Sequence, residues 1–327
     1  MGNTKAEVEE KIRQLEEKFR LSGQDLGSYL DGLLHSKYLT YWDYIELDTL
    51  LSLQKTRTHF PDEKIFISYH QITELYFKLI LHELEQIFEK DTPDVDFLVD
   101  RLNRVSRYFR ILTESFDVMI RGMEREQFLR FRMSLLPASG FQSAQYRMIE
   151  FFCTPIENLI HNSVRDRLRS DNTTESLYEH IYWKRGATDE VTGEKTLTLK
   201  QFEEKYSHNF VELVNKLRHQ TLYDKYLSLP EHQRDDQVLK DAMRHLDVTI
   251  NVNWSLIHIG AAQRYLMKKK GVIAATGGTN WEEFLPPSFQ RIIFFPELWN
   301  EQEKMNWGKH WVDQMFNIKP ESEIEKN

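Results

Sequence analysis

Along most of this chain apolar residues recur at the three- and four-residue steps of a helix face. No alternating apolar–polar run is long enough to build a sheet. The clearest stripe is Leu98, Leu102, Val105, Phe109, Leu112, Phe116 and Met119, which predicts a long amphipathic helix in a bundle. Ile72, Leu75, Tyr76, Leu79, Ile80, Leu84 and Ile87 predict a buried helix, opened by Pro61 and Asp62. Val8, Ile12, Leu15 and Phe19 form a narrow stripe on a highly charged N-terminal helix, suited to docking on a neighbour. A second helix is expected over 42–54, with Tyr44, Ile45, Leu47, Leu50, Leu51 and Leu53 as its apolar positions. Pro137-Ala138-Ser139-Gly140 breaks the pattern, and a helix restarts near Phe141 or Gln142. Helical spacing returns over 201–226 and 235–270. Residues 166–200 are polar and read as a partly helical surface insertion. The expected fold is all-α: an N-terminal helical arm over 1–40, a helical domain over 41–317 that includes the insertion, and a polar tail over 318–327.

Composition narrows the function classes. The chain has 327 residues, 40% hydrophobic and 29% charged, as expected of a soluble globular protein. Thirteen glycines and nine prolines are few for this length and favour helices over a turn-rich β fold. A net charge of -8 gives no electrostatic reason to bind nucleic acid. Cys153, the single cysteine, excludes an internal disulfide and a cysteine-based metal site. No apolar leader follows Met1 and no apolar run approaches 18 residues, so neither a secretory signal nor a membrane span is expected. A cytoplasmic location is the expectation that fits these features.

Four places could carry chemistry. Phe66 and His70 stand four apart on one helix face, a start for a pocket that takes a flat apolar ligand with one polar edge; a satisfied core histidine fits the same spacing. Trp254, His258, Ala261 and Tyr265 also share a face, and Gly260, Ala261 and Ala262 leave room beside His258 for a large planar group such as haem. A helix–helix contact made by small residues is the plainer reading of that segment. Phe128 and Arg132 stand four apart, and a guanidinium on an inner face suits a carboxylate, a structural ion pair or a snorkelling position. Ala275-Thr276-Gly277-Gly278-Thr279-Asn280 is a small-residue loop without the Lys of a phosphate-binding loop. No His-Glu-x-x-His zinc motif occurs.

Taken in order, the blocks Tyr41 to Gln54, Phe66 to Lys78, Phe128 to Arg132, Pro137 to Arg147, Trp254 to Arg264 and Thr276-Gly277-Gly278 resemble the tryptophan 2,3-dioxygenase family. The resemblance implies a haem b dioxygenase, one haem per chain and ferrous when active, that opens the indole ring of L-tryptophan with O₂ to give N-formyl-L-kynurenine. It implies His258 as the axial ligand of the haem iron and His70 as the catalytic-side partner of the indole N–H. Phe66 and Phe128 line the pocket, Arg132 holds the substrate carboxylate, Thr276 binds the amino-acid end, and Ser139 faces the haem and O₂. Tyr41, Tyr44 and Ile45 reach into a neighbouring subunit of a homotetramer. This chain departs from the family pattern in a longer connection, 268–274, before the Thr276 loop, and in Ala275 and Thr279-Asn280-Trp281 around it. Those changes bear on strictness for tryptophan. An oxygenase for another indole derivative and a non-catalytic haem sensor are the competing readings.

Overall fold

The computed structural model describes residues 4–165, 167–168, 173–189, 192–266 and 286–309. The Thr276 loop and the 318–327 tail lie outside these residues. Among the described residues the regular elements are helices, and the only β pairing is two isolated bridges. Among the described residues no helix is long and apolar enough to cross a membrane.

The chain divides into two compact units, Met1–Gln54 and Lys55–Asn327. In the first, α1 (Lys5–Leu21) starts on a capping box in which Thr4 and Glu7 each satisfy the other's backbone N–H. Helix α2 (Leu26–His35) follows, capped by Asp25. The single helix expected over 42–54 is instead two short ones, Tyr41–Tyr44 and Leu47–Leu51. Glu46 between them sits at φ 49, left-handed backbone that ends the first helical run. None of the apolar residues in this stretch is buried within the unit, and Tyr41, Tyr44 and Leu51 are exposed. Residues 41–54 thus group with the arm rather than with the larger unit.

The larger unit is built round α3 (Asp62–Glu89) and α4 (Val95–Ser115), which pack on each other. The expected α4 stripe is the core: Leu98, Leu102, Val105, Phe109 and Leu112 are buried. The α3 expectation needs correction. Tyr76 is half-buried and Ile80, Leu84 and Ile87 are buried, but Ile72, Leu75 and Leu79 face outward. The helix carries two apolar stripes, and the inner one also includes Tyr69, Phe77 and Leu81. Short α5 (Arg125–Phe131) is tied to the start of α3: Glu124 N–H donates to Asp62 Oδ2 at 2.6 Å, and Asp62 N–H to Gln127 Oε1 at 3.2 Å. Helix α6 (Ala144–Cys153) starts after a 3-10 turn, Gly140–Gln142, at the predicted break, and packs on α3.

The reading of 166–200 as a surface insertion is also corrected. Its described residues include Leu177, Tyr178, Ile181, Tyr182 and Trp183, all buried. Polar neighbours hid them: Lys184 is itself buried and pairs with Glu179 and Glu203. Helix α7 (Leu197–Leu217) packs on α6. It ends before 226 because His219 takes φ 61, and the chain restarts at Leu222–Leu227. The predicted long helix over 235–270 is α8 (Gln237–Val248), a π-helical turn at Thr249–Asn253, and α9 (Trp254–Leu266), running without interruption.

Candidate active site

Facing stretches of α3, α5, α6 and α9, with the segment that follows α4, leave a cavity of about 630 Å³ between them. Its wall includes Phe66, His70, Phe128 and Ser139 from the sequence-predicted set, together with Trp254, His258, Ala261, Ala262 and Tyr265. Two imidazoles face this space under the same local rule. His70 Nδ1 lies 2.7 Å from Phe66 O, and His258 Nδ1 lies 2.7 Å from Trp254 O, each the carbonyl one helical turn back. A carbonyl only accepts, so each Nδ1 carries the proton and each Nε2 keeps its lone pair. Either Nε2 can thereby accept a hydrogen bond or bind a metal.

Both rings are held neutral. Burial pushes His258 down to about 4, against the Trp254 hydrogen bond and helped by the nearby His70. His70 is open to solvent through the cavity, yet the protein packed round it displaces enough water to lower its pKa as well, with Phe66 O and Glu74 opposing.

Aromatic packing fixes the rest. Trp254 sits edge-on to Phe77, Phe109 and Phe116, and the His258 ring lies 4.5 Å from Trp254 and 4.6 Å from Phe116. Phe66 lies 4.1 Å from the His70 ring and 6.1 Å from Phe128. Tyr265 donates to Met119 O at 2.6 Å, joining α9 to the turn after α4. Ser139 is half-buried on the wall, and its backbone N–H is held by Gln142 Oε1 at 3.0 Å.

Arg132 is placed differently. It is buried, 3% exposed, at the start of the 3-10 turn Arg132–Leu135, and is not among the residues that line the cavity. Burial lowers its pKa, which marks a guanidinium withdrawn from water. Tyr41, Tyr44 and Ile45 belong to the other unit, with Tyr41 and Tyr44 70% and 74% exposed. Thr276 lies outside the described residues.

Sequence reasoning gave no role to Arg147, Glu150, Tyr182 or Trp183. Arg147 donates to Glu150 Oε2 at 2.9 Å and Tyr182 OH at 3.0 Å, and its guanidinium lies over the Trp183 ring. Burial works against its charge, but Glu150, Tyr182 and Tyr146 together outweigh that and lift its pKa. Among the described residues Arg147 is the one Lys or Arg on the cavity wall, and it is already paired. Its place in the Gln145-Tyr146-Arg147 block was the signal for it; Tyr182-Trp183 gave none beyond two adjacent aromatics.

The sequence model of the tryptophan 2,3-dioxygenase family matches residues 32–249. The chain belongs to that family. A relative named tryptophan 2,3-dioxygenase from Bacillus thuringiensis subsp. konkukian (strain 97-27) is 30% identical over 277 residues, 82% of this chain and 93% of its own. One of the same name from Ruegeria sp. (strain TM1040) is 29% identical over 80% of this chain and 91% of its own. A third, from Anaeromyxobacter sp. (strain K), is 41% identical over 121 residues, 37% of this chain and 45% of its own. The family match stops at residue 249, ahead of His258, so the reading of His258 stands on its geometry.

That geometry fits a haem. The wall is largely aromatic and aliphatic, Ala261 and Ala262 add little bulk beside the imidazole, and the neutral ring with its proton on Nδ1 offers Nε2 as the donor atom.

A pH prediction follows for the protein with its cavity empty. Unfolded histidine takes up a proton near 6.5 and folded His258 only near 4. Between those values the unfolded chain binds more protons, so this contribution to stability is lost as pH falls through the window. His258→Ala is expected to remove that part of the slope, at most about 3 kcal/mol across the window. Denaturant titrations at about pH 7 and about pH 4.5 measure it. Equal slopes in both proteins count against a neutral buried imidazole.

Proposed function

We propose that this chain is a haem-dependent dioxygenase that cleaves the C2–C3 bond of the indole ring of L-tryptophan with O₂, giving N-formyl-L-kynurenine. The observation that carries the reading is the pair of neutral imidazoles, His70 and His258, that face one aromatic cavity with both Nε2 lone pairs available. His258 would hold haem b, and the haem, when bound, supplies the iron at which O₂ is activated.

The chain's own residues bind and orient. Phe66 and Phe128 pack against the indole, whose burial stabilises the complex by a few kcal/mol at about 25 cal/mol per Å². The buried indole N–H needs an acceptor, and His70 Nε2 offers one because Phe66 O holds the ring proton on the other nitrogen. Arg132 grips the α-carboxylate, Thr276 meets the amino-acid end, and Ser139 faces the haem and O₂. Mixing reduced, haem-loaded protein with L-tryptophan and O₂, and following formylkynurenine absorbance, tests the reading. Turnover is expected; a spectral change without product would favour the sensor, and product from another indole but not from tryptophan would favour a different substrate.

The quaternary part of the proposal is a cytoplasmic homotetramer whose sites are completed in trans by Tyr41, Tyr44 and Ile45. Its support is the exposure of Tyr41 and Tyr44 in one unit and, separately, of Ile72, Leu75 and Leu79 in the other, apolar side chains of the kind interfaces cover. Removing the residues before Tyr38 is expected to weaken assembly and raise KM together, read by sedimentation and steady-state kinetics. A fully active monomer would overturn it.

A further inference from the structure

Two helices that behave as one are out of register with each other. On α8 the residues packed into the core are Leu239, Met243 and Leu246, and Ile250 continues that face. On α9 the face turned to the cavity carries Trp254, His258, Ala261 and Tyr265. Both faces meet α4 or its C-terminal cap: Trp254 lies against Phe109 and Phe116, His258 lies against Phe116, and α8 packs along the same helix. A regular α-helix advances about 100° per residue. Counted that way from Leu239, Met243 and Leu246, His258 would stand about 90° off their direction. The turn Thr249–Asn253 removes the mismatch. Its hydrogen bonding is π-type, with Trp254 N–H donating to Thr249 O five residues back. A π turn takes up one extra residue, about 100° of rotation, and so brings His258 back in line with the α8 core face.

Each end of the turn is fastened. Downstream, Trp254 is wedged among Phe77, Phe109 and Phe116. Upstream, Asp247 is fully buried and accepts four donors: Asn251 Nδ2 at 2.7 Å and Phe294 N–H at 3.0 Å on Oδ1, Phe295 N–H at 3.2 Å and Trp299 Nε1 at 3.0 Å on Oδ2. Arg244, one turn earlier, stacks on Trp299 at 3.9 Å and bonds to Leu298 O and Glu303. The end of α8 is thereby splinted to the Phe294–Trp299 segment, and Asn251 carries the same clasp into the middle of the turn.

We propose that the π turn is the element that aims His258 into the cavity, and that Asp247 is the positioning residue that holds it. The proposal rests on His258 being the haem ligand. If the clasp loosens, the helix can relax to regular α geometry and rotate the imidazole off its target.

The test uses helix length. Deleting half-buried Asn253 removes the extra residue, so a regular helix then points His258 the same way; inserting one alanine after Asn253 adds a rotation of about 100° that a single π turn does not absorb. Hemin titration of the full-length apoprotein, with the Soret band and ferric spin state as readouts, compares the two. The deletion is expected to keep affinity and spectrum near wild type, and the insertion to lose at least about tenfold in affinity and the histidine-ligated signature. Asp247→Asn forces an amide NH₂ against Phe294 N–H in one orientation and against Phe295 N–H and Trp299 Nε1–H in the other. It is expected to weaken hemin binding about 10–100-fold, and deletion of Asn253 in that background to restore the spectrum. A deletion that loses ligation as fully as the insertion, or an insertion that keeps it, overturns the role of the turn. Asp247→Asn with a lower Tm but unchanged hemin affinity and spectrum would make Asp247 a stabilising residue only. His258→Ala in the same titration tests the underlying reading separately, since its failure to weaken hemin binding removes the ligand and leaves the length variants without a spectral difference to explain.

Discussion

His258→Ala is expected to cost the chain its haem. On the proposed reading the imidazole supplies the donor atom, and the other imidazole on the wall, His70, is held on α3 by its bond to Phe66 O rather than in the place of the lost ring, which lies against Trp254 and Phe116. Removing a partner of a metal ligand typically costs about 10–100-fold in affinity, so losing the ligand itself is expected to exceed that. Hemin titration of the purified apoprotein reads the loss directly. A second arm makes the result specific. Alanine leaves an imidazole-sized space closed by Trp254 and Phe116, so free imidazole at millimolar concentration is expected to recover a histidine-like ferric spectrum. A variant that keeps a full Soret band and the same spectrum without added imidazole would remove His258 from the role.

The stripe of α4 was legible in the sequence because one helix face met the core and the other met water, so burial and periodicity agreed. Helix α3 broke that link. It carries apolar residues on two faces, and spacing alone does not sort Ile72, Leu75 and Leu79 from Ile80, Leu84 and Ile87. The site was legible where two residues one turn apart make a unit, as with Phe66 and His70, or Trp254 and His258. It was illegible where the wall is assembled from distant segments. Tyr182 and Trp183 reach the cavity from a stretch whose buried Lys184 is paired with Glu179 and with Glu203 on α7, so its composition imitates surface. The π turn did leave a trace. From Leu246 through Ile250 and Trp254 to His258 the steps are four, four and four, and three successive fours drift by about 120° round a regular helix. A stripe that drifts so far yet stays in one core requires a wider turn within it.

Arg132→Ala is expected to damage catalysis more than His70→Ala, and the reason is charge. A buried guanidinium paired with the substrate carboxylate leaves that carboxylate unmatched when it is removed, at a cost of about 2–5 kcal/mol, or roughly 30- to several-thousand-fold in kcat/KM. On the proposed reading His70→Ala removes one neutral hydrogen bond from the indole N–H, about 1 kcal/mol net, or roughly fivefold. The loss in Arg132→Ala is expected mainly in KM, with hemin affinity near wild type, since Arg132 does not line the cavity wall beside His258. That same placement is what makes the experiment decisive. Arg147 does line the wall but is held by Glu150 and Tyr182, so a carboxylate clamp at Arg147 would have to compete with an existing ion pair. Tryptamine, which lacks the carboxylate, separates the cases: wild type and Arg132→Ala are expected to handle it about equally poorly. If wild type turned over tryptamine as well as L-tryptophan, no carboxylate clamp would operate. If Arg132→Ala still preferred tryptophan by the wild-type ratio, the clamp would lie elsewhere, and Arg147 released from Glu150 on substrate binding would be the group to vary next.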